Sequence, residues 1–154
     1  MKKIIKIITG SAVLFLLIQC NVAEKKEAQE IITEAEVKDF IIRYDGSWSD
    51  RDTNRMKQLM DTQYLYFSST GSVFGRQNIM GWFDPPDKYK IDSAKRSEIG
   101  FIIDGNTAIV NSRWIGGGSF GNEKFRDDQR CGLVLHKKDG RIRIIAEHCT
   151  QIVD

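Results

Sequence analysis

From Glu98 to Ile152 the apolar residues fall into β-type runs separated by turn signals: Ile99 to Ile103, Thr107 to Ile115, Phe125 to His136 and Ile142 to Ile152. Asp104-Gly105-Asn106, a glycine-rich segment and Asp139-Gly140 stand between them. Asp-Gly pairs suit type I′ hairpin turns, whose two central residues need positive φ. The pattern predicts long antiparallel strands joined by tight turns, with Gly116 to Gly121 as a flexible hairpin tip.

Upstream the period changes. Val37, Phe40, Ile41, Tyr44 and Trp48 recur at three- and four-residue steps, the apolar stripe of an amphipathic helix ending near Gly46 to Ser49. Thr33 and Glu36 ahead of it form a capping box, with Ile32 and Val37 at the staple positions. Asp50-Arg51-Asp52-Thr53 offers a second N-cap, for a short helix with Met56, Leu59 and Met60 on its apolar face. Tyr64 to Ser69 then reads as a strand that turns at Thr70-Gly71-Ser72 into Val73-Phe74. A third helix from Arg76 through Phe83 is stopped by Pro85-Pro86, since proline lacks an amide donor and restricts its predecessor.

This α+β order, with Trp48 closing one helix before an Asp-capped second, resembles the nuclear transport factor 2-like superfamily, in particular its polyketide cyclase-like and ketosteroid isomerase-like members. Phe67 to Gly71 with Gly75-Arg76, Gly105 to Ala108, and Asp139-Gly140 leading to Ala146-Glu147-His148 carry the likeness; Ile142 departs from it where relatives often place tryptophan. The resemblance implies a curved antiparallel sheet wrapped around N-terminal helices, a cone-shaped α+β barrel over about Glu34 to Ile152. For enzymes of that kind it implies an Asp or His in the cone, with donors that stabilise an enolate-like charge.

A two-residue Asp139-Gly140 loop sets Lys138 opposite Arg141. A regular ladder from there puts Cys131, Leu133 and Leu135 on one face with Ile142, Ile144, Ala146 and His148. That set is the more apolar and is expected to face the helices. Cys131 and Cys149 then lie on opposite faces and form no disulfide. His148 points into the cone, with Asp127 near the same strand end, so the two are the candidate catalytic pair, His148 as general base. Tyr44, Trp48, Tyr64, Trp82, Trp114 and Gln129 are the candidate ligand-binding residues, Trp114 turning inward with Ala108, Val110 and Ser112.

Composition changes the picture mainly at the N-terminus. Met1 to Lys6 is a basic segment, and Ile7 to Ile18 is apolar but too short for a bilayer core of ~30 Å. It ends in Leu17-Ile18-Gln19-Cys20, similar to the lipobox of bacterial lipoproteins, with Gln19 where Gly, Ala or Ser is usual. The organisation expected is a signal peptide over 1–19, a polar tether over 20–30 and one domain over 31–154. Cys20 is the lipidation site, and the address is the bacterial cell envelope, or the exterior if the signal is a plain secretory one. Taking Lys2, Lys3 and Lys6 from the 23 basic residues leaves one fewer base than the 21 acidic residues, which argues against a nucleic-acid partner.

The Gly116 to Gly121 run matches short dinucleotide and serine-hydrolase patterns, but both need a helix next and a strand follows. His136 and His148, the two histidines, fall on opposite faces in this register, as do the cysteines, so neither a metal nor a cofactor is expected. The function read from these features is an anchored domain that binds a small apolar ligand or a partner. The alternative is an isomerase, dehydratase or cyclase using His148. A homodimer through the outer sheet face, at Val134 and Ile145, is a further expectation.

Overall fold

The computed structural model describes residues 30–85 and 88–153. The export segment, Cys20 and the tether before Glu30 lie outside the described residues. Helix α1, Glu34–Ser49, starts at the capping box as its sequence predicts: the Thr33 hydroxyl accepts from the Glu36 amide and the Glu36 carboxylate accepts from the Thr33 amide. Helix α2, Thr53–Leu59, is capped by Asp52, whose side chain accepts from the Arg55 amide. Strands β1, Met60–Phe67, and β2, Val73–Gly75, form a short hairpin ahead of α3, Arg76–Met80. That helix is shorter than the apolar pattern suggested, its last turn closing at Trp82 and Phe83 through bonds to Ile79 and Met80 carbonyls.

Four long strands follow, β3 at Tyr89–Asp104, β4 at Thr107–Phe120, β5 at Glu123–Lys138 and β6 at Arg141–Gln151. With β1 and β2 they make one six-stranded sheet in the order β2-β1-β6-β5-β4-β3, in which only the β1/β6 pair is parallel. Its concave face covers α1: Val37, Phe40, Ile41 and Tyr44 pack with Ala108, Val110, Leu133, Leu135 and Ile144 in one core. The Asp139-Gly140 loop has positive φ at both residues, 53° and 70°, as a type I′ turn requires.

Two expectations are overturned here. Gly116 to Gly118 are not a hairpin tip but strand, paired with β3 on one side and β5 on the other; the turn sits at Gly121-Asn122. A Cβ at Gly118 would lie 1.8 Å from the Lys90 carbonyl oxygen, and one at Gly116 would lie 2.3 Å from the Trp114 ring. Glycine is there because β3 and an indole press on the β4 backbone.

The second correction concerns β6. Its pairing with β5 begins in the expected register, from Lys138 opposite Arg141 to Leu135 opposite Ile144, then shifts so that Val134 faces Ala146. Ile145 is the extra residue of a β-bulge, and β1 is irregular at the same level, between Met60 and Leu65. Bulges bend and twist a strand, which a sheet curling around a helix requires. Because side chains alternate with period two, one inserted residue reverses every later one. Glu147 and Cys149 therefore turn inward and are buried, while His148 is exposed. Cys131 and Cys149 face one another and form a disulfide.

Candidate functional site

Beyond the bulge the concave face is not filled. A cavity of about 90 Å³ lies between the end of α1, the segment after α3 and the inner faces of β1, β3, β4, β5 and β6. That is room for about three waters at ~30 Å³ each, and less than the ~150 Å³ of an engineered cavity that admits benzene.

The floor of the cavity is a buried carboxylate. Glu147, from β6, is 7% exposed, and its Oε2 accepts from the Tyr44 hydroxyl at 2.7 Å and the Tyr64 hydroxyl at 3.1 Å. Tyr44 arrives from α1 and Tyr64 from β1, so three elements converge on one oxygen. Burial raises the pKa of Glu147; the Arg96 charge and the two tyrosyl donors oppose that shift. Burial also lifts both tyrosines well above their usual range, reinforced for Tyr44 by the Glu147 charge and for Tyr64 by Tyr44 and Glu147. They are donors, not phenolates.

Arg96, from β3, supplies the local positive charge, with a side chain 5% exposed. Its Nε and Nη2 bond both oxygens of Asp45 at 2.9 to 3.1 Å, and Nη1 donates to the Ser112 hydroxyl at 2.7 Å. The guanidinium is thus a strut between α1, β3 and β4.

The walls are aromatic. Trp48 lies 6.3 Å from Trp82 and 5.8 Å from Tyr89, while Trp82 meets Tyr89 at 5.5 Å and stands edge-on to Tyr66 at 6.3 Å. Trp114 rests over Gly116 of its own strand, β4. Asp127, half-buried on β5 opposite Gly116, also lines the cavity; its pKa is raised by burial.

Tyr44, Trp48, Tyr64, Trp82, Trp114, Gln129 and Asp127, all singled out in the sequence, are brought to this one cavity. Gln129 is held by a bond from its Nε2 to the Ser69 hydroxyl at 3.3 Å. His148 is not among them: it lies on the convex side, opposite Gly132, so the inward general base expected from a regular hairpin does not exist. Glu147, Arg96 and Tyr89 were missed. Glu147 was displaced by the bulge, and Arg96 stands in a polar stretch, Lys95-Arg96-Ser97, with no apolar alternation to mark a strand.

The cysteines need the same correction, since the argument that they are too far apart for a metal fails. Their sulfurs and a Glu147 oxygen lie within 4.8 Å of one another. The disulfide uses both thiols, so in this state the cluster presents one carboxylate.

No family model and no curated protein matches the chain by sequence. Solved structures do match. A Cytophaga hutchinsonii NTF2-like protein superposes with a TM-score of 0.73 at 17% identity, covering 79% of this chain and 100% of the other. A Rhodospirillum rubrum NTF2-like protein, described as of unknown function in nutrient uptake, gives 0.72 at 18% identity, covering 76% and 98%. An Exiguobacterium sibiricum protein, described as a putative Ca/calmodulin-dependent kinase II association domain, gives 0.72 at 12% identity, covering 78% and 93%. At such identities the likeness concerns architecture alone. The curved six-stranded sheet closed over its helices is the cone of the NTF2-like, cystatin-like fold, and this chain adopts it.

Proposed function

We propose that the chain is an anchored envelope protein whose cone binds a small molecule with an apolar body. One observation carries the reading: a half-open, aromatic-lined pocket of about 90 Å³ includes a buried carboxylate held by two tyrosines. Ligand sites are concave, mostly apolar and furnished with a few placed polar groups. The anchor rests on the basic start, the short apolar run and Cys20. No described helix is long and apolar enough to cross a membrane.

The enzymatic alternative loses its base with His148. The homodimer reading gains an apolar row across the convex face, where Ile102, Ile109, Val134, Ala146 and Leu65 are successive cross-strand partners. Ile102 and Ile109 are exposed.

Native mass spectrometry of the full chain isolated from its own cells tests the proposal. The expected spectrum shows a lipid mass on Cys20 and a non-covalent small-molecule adduct. Unmodified Cys20 in the membrane fraction would overturn the anchor, and a ligand-free spectrum would overturn the binding site.

A further inference from the structure

Away from the aromatic cavity, a second concavity gathers positive charge. It is a groove of about 1210 Å³ between the end of α2, the start of β1 and the β5/β6 turn, where the pairing of β1 with β6 is interrupted between Met60 and Leu65. Lys57, Arg76, Lys138, Arg141 and Arg143 line it, against two acids, Asp61 and Asp139. None of these five bases forms an ion pair among the described residues, whereas Arg43, Arg96, Arg113 and Arg130 elsewhere are paired with carboxylates. Arg76 donates from Nη2 to the Lys57 carbonyl at 3.0 Å, and its Nε is buried without a partner among the described residues. Asp61 is engaged by the Thr62 hydroxyl and the Gln63 amide.

The chain enters the domain at the rim of this groove. The Glu30 carboxylate accepts from the Gly140 amide at 2.8 Å, and Lys137 Nζ donates to the Ile31 carbonyl at 3.0 Å, so the N-terminal end of the domain is fixed against the β5/β6 turn. Ten residues, Cys20 to Gln29, lie between the proposed lipid and Glu30, and a chain of that length reaches at most about 36 Å. The Gly121-Asn122 turn stands at the other end of β5, about 50 Å along that strand at ~3.3 Å per residue. A lipid on Cys20 therefore keeps the basic end of the domain next to the membrane and the other end away from it.

Like charges gathered in one concavity repel one another unless an anion joins them, and basic residues held near an anionic bilayer are drawn to it over about a Debye length. We infer that the groove docks on the surface of the membrane that holds the lipid, with anionic lipid headgroups as the counter-charges of Lys57, Arg76, Lys138, Arg141 and Arg143. The short tether supplies proximity and the groove supplies orientation. The domain then stands with its β5/β6 turn on the bilayer and its Gly121-Asn122 turn outward. This inference rests on the anchored reading and adds a second, electrostatic contact to it.

The test uses the full chain from its own cells, reconstituted into vesicles of phosphatidylcholine alone or of phosphatidylcholine mixed with phosphatidylglycerol, with an energy acceptor on the headgroups. A donor dye is placed without reductant on Thr62→Cys, in the groove, or on Asn122→Cys, at the far turn. Transfer from position 62 is expected to be higher in the anionic vesicles, and to lose that gain in about 1 M salt, where the screening length falls to about 3 Å. Transfer from position 122 is expected to show no such gain. A Lys138→Gln/Arg141→Gln/Arg143→Gln variant with native circular dichroism should lose it too, each base being worth about fivefold in docking. Equal transfer from position 62 in the two vesicles, a gain that survives in the triple variant, or an equal gain at position 122 overturns the docking while the anchor stands. Protection of the groove from hydrogen exchange by glycerol phosphate but not by anionic vesicles would also overturn it, in favour of a soluble phosphate. A chain that does not float with the phosphatidylcholine vesicles has no anchor, and the inference falls with that reading.

Discussion

Removing the Cys131–Cys149 bridge tests the register on which the whole site depends. The bridge closes a chain segment with a sequence separation of 18. Restricting an unfolded loop of that size stabilises the native state by about 3 kcal/mol in the chain-entropy treatment. A Cys131→Ala/Cys149→Ala variant also loses the packing of two side chains that are 3% and 4% exposed, adding about 1 kcal/mol. The sum, about 4 kcal/mol at roughly 3 to 5 °C per kcal/mol for a domain of this size, predicts a Tm lower by about 12 to 20 °C in calorimetry. Peptide mapping without reductant should recover the two strands of the hairpin as one species. Free thiols at both positions would refute the reasoning, and the consequence reaches beyond the bridge. A β6 without its bulge at Ile145 returns Glu147 to the convex face and His148 to the cone, and the cavity described here loses its carboxylate.

Other outcomes follow from the same geometry. Glu147→Ala leaves the Tyr44 and Tyr64 hydroxyls buried without their acceptor and should destabilise the fold by about 3 to 5 kcal/mol in denaturant unfolding, whereas Glu147→Gln should cost about 1 kcal/mol or less. Because burial raises the folded-state pKa of Glu147, the native state holds its proton where the unfolded chain has released it. Its contribution to stability is therefore fully present below the unfolded carboxylate pKa and declines as pH rises through the folded value, and a Glu147→Gln variant should lack that slope in Tm against pH. Arg96→Met strands Asp45 and Ser112 and should cost about 2 kcal/mol, discounted because Asp45 is 31% exposed. His148→Ala should change unfolding by about 0.5 kcal/mol or less and leave ligand affinity unaltered; a large loss of binding would restore the histidine to the site.

The helical part was legible because its signals are local. The Thr33/Glu36 box and the stripe from Val37 to Trp48 act within a few residues, and the structure places both as read. Tyr44 and Trp48 could be referred to the cavity from their position at the end of that stripe alone. The glycine segment was misread because glycine in a sequence marks a turn more often than a close approach; only the Lys90 carbonyl and the Trp114 ring, remote in sequence, reveal the second role.

The β6 face was misread for a different reason. Period-two patterning carries its error forward: the turn and the first four pairs from Arg141 to Ile144 are right, and a single unpaired residue reverses everything after it. The residues themselves offered little warning, since Ile144, Ile145 and Ala146 are all acceptable on an apolar face. What selects the bulge is tertiary. β6 lies between antiparallel β5 and parallel β1, and both pairings break at the same level, where the sheet must curl to close the cone. The regular register would have buried an apolar Ala146 and left Cys131 unbridged. The observed one buries a carboxylate, joins the cysteines, and supplies that carboxylate with two tyrosyl donors and the field of Arg96. A buried carboxyl group so provided for is costly to place and was favoured over the more apolar alternative. That exchange is why Glu147, not His148, is the residue on which to test function.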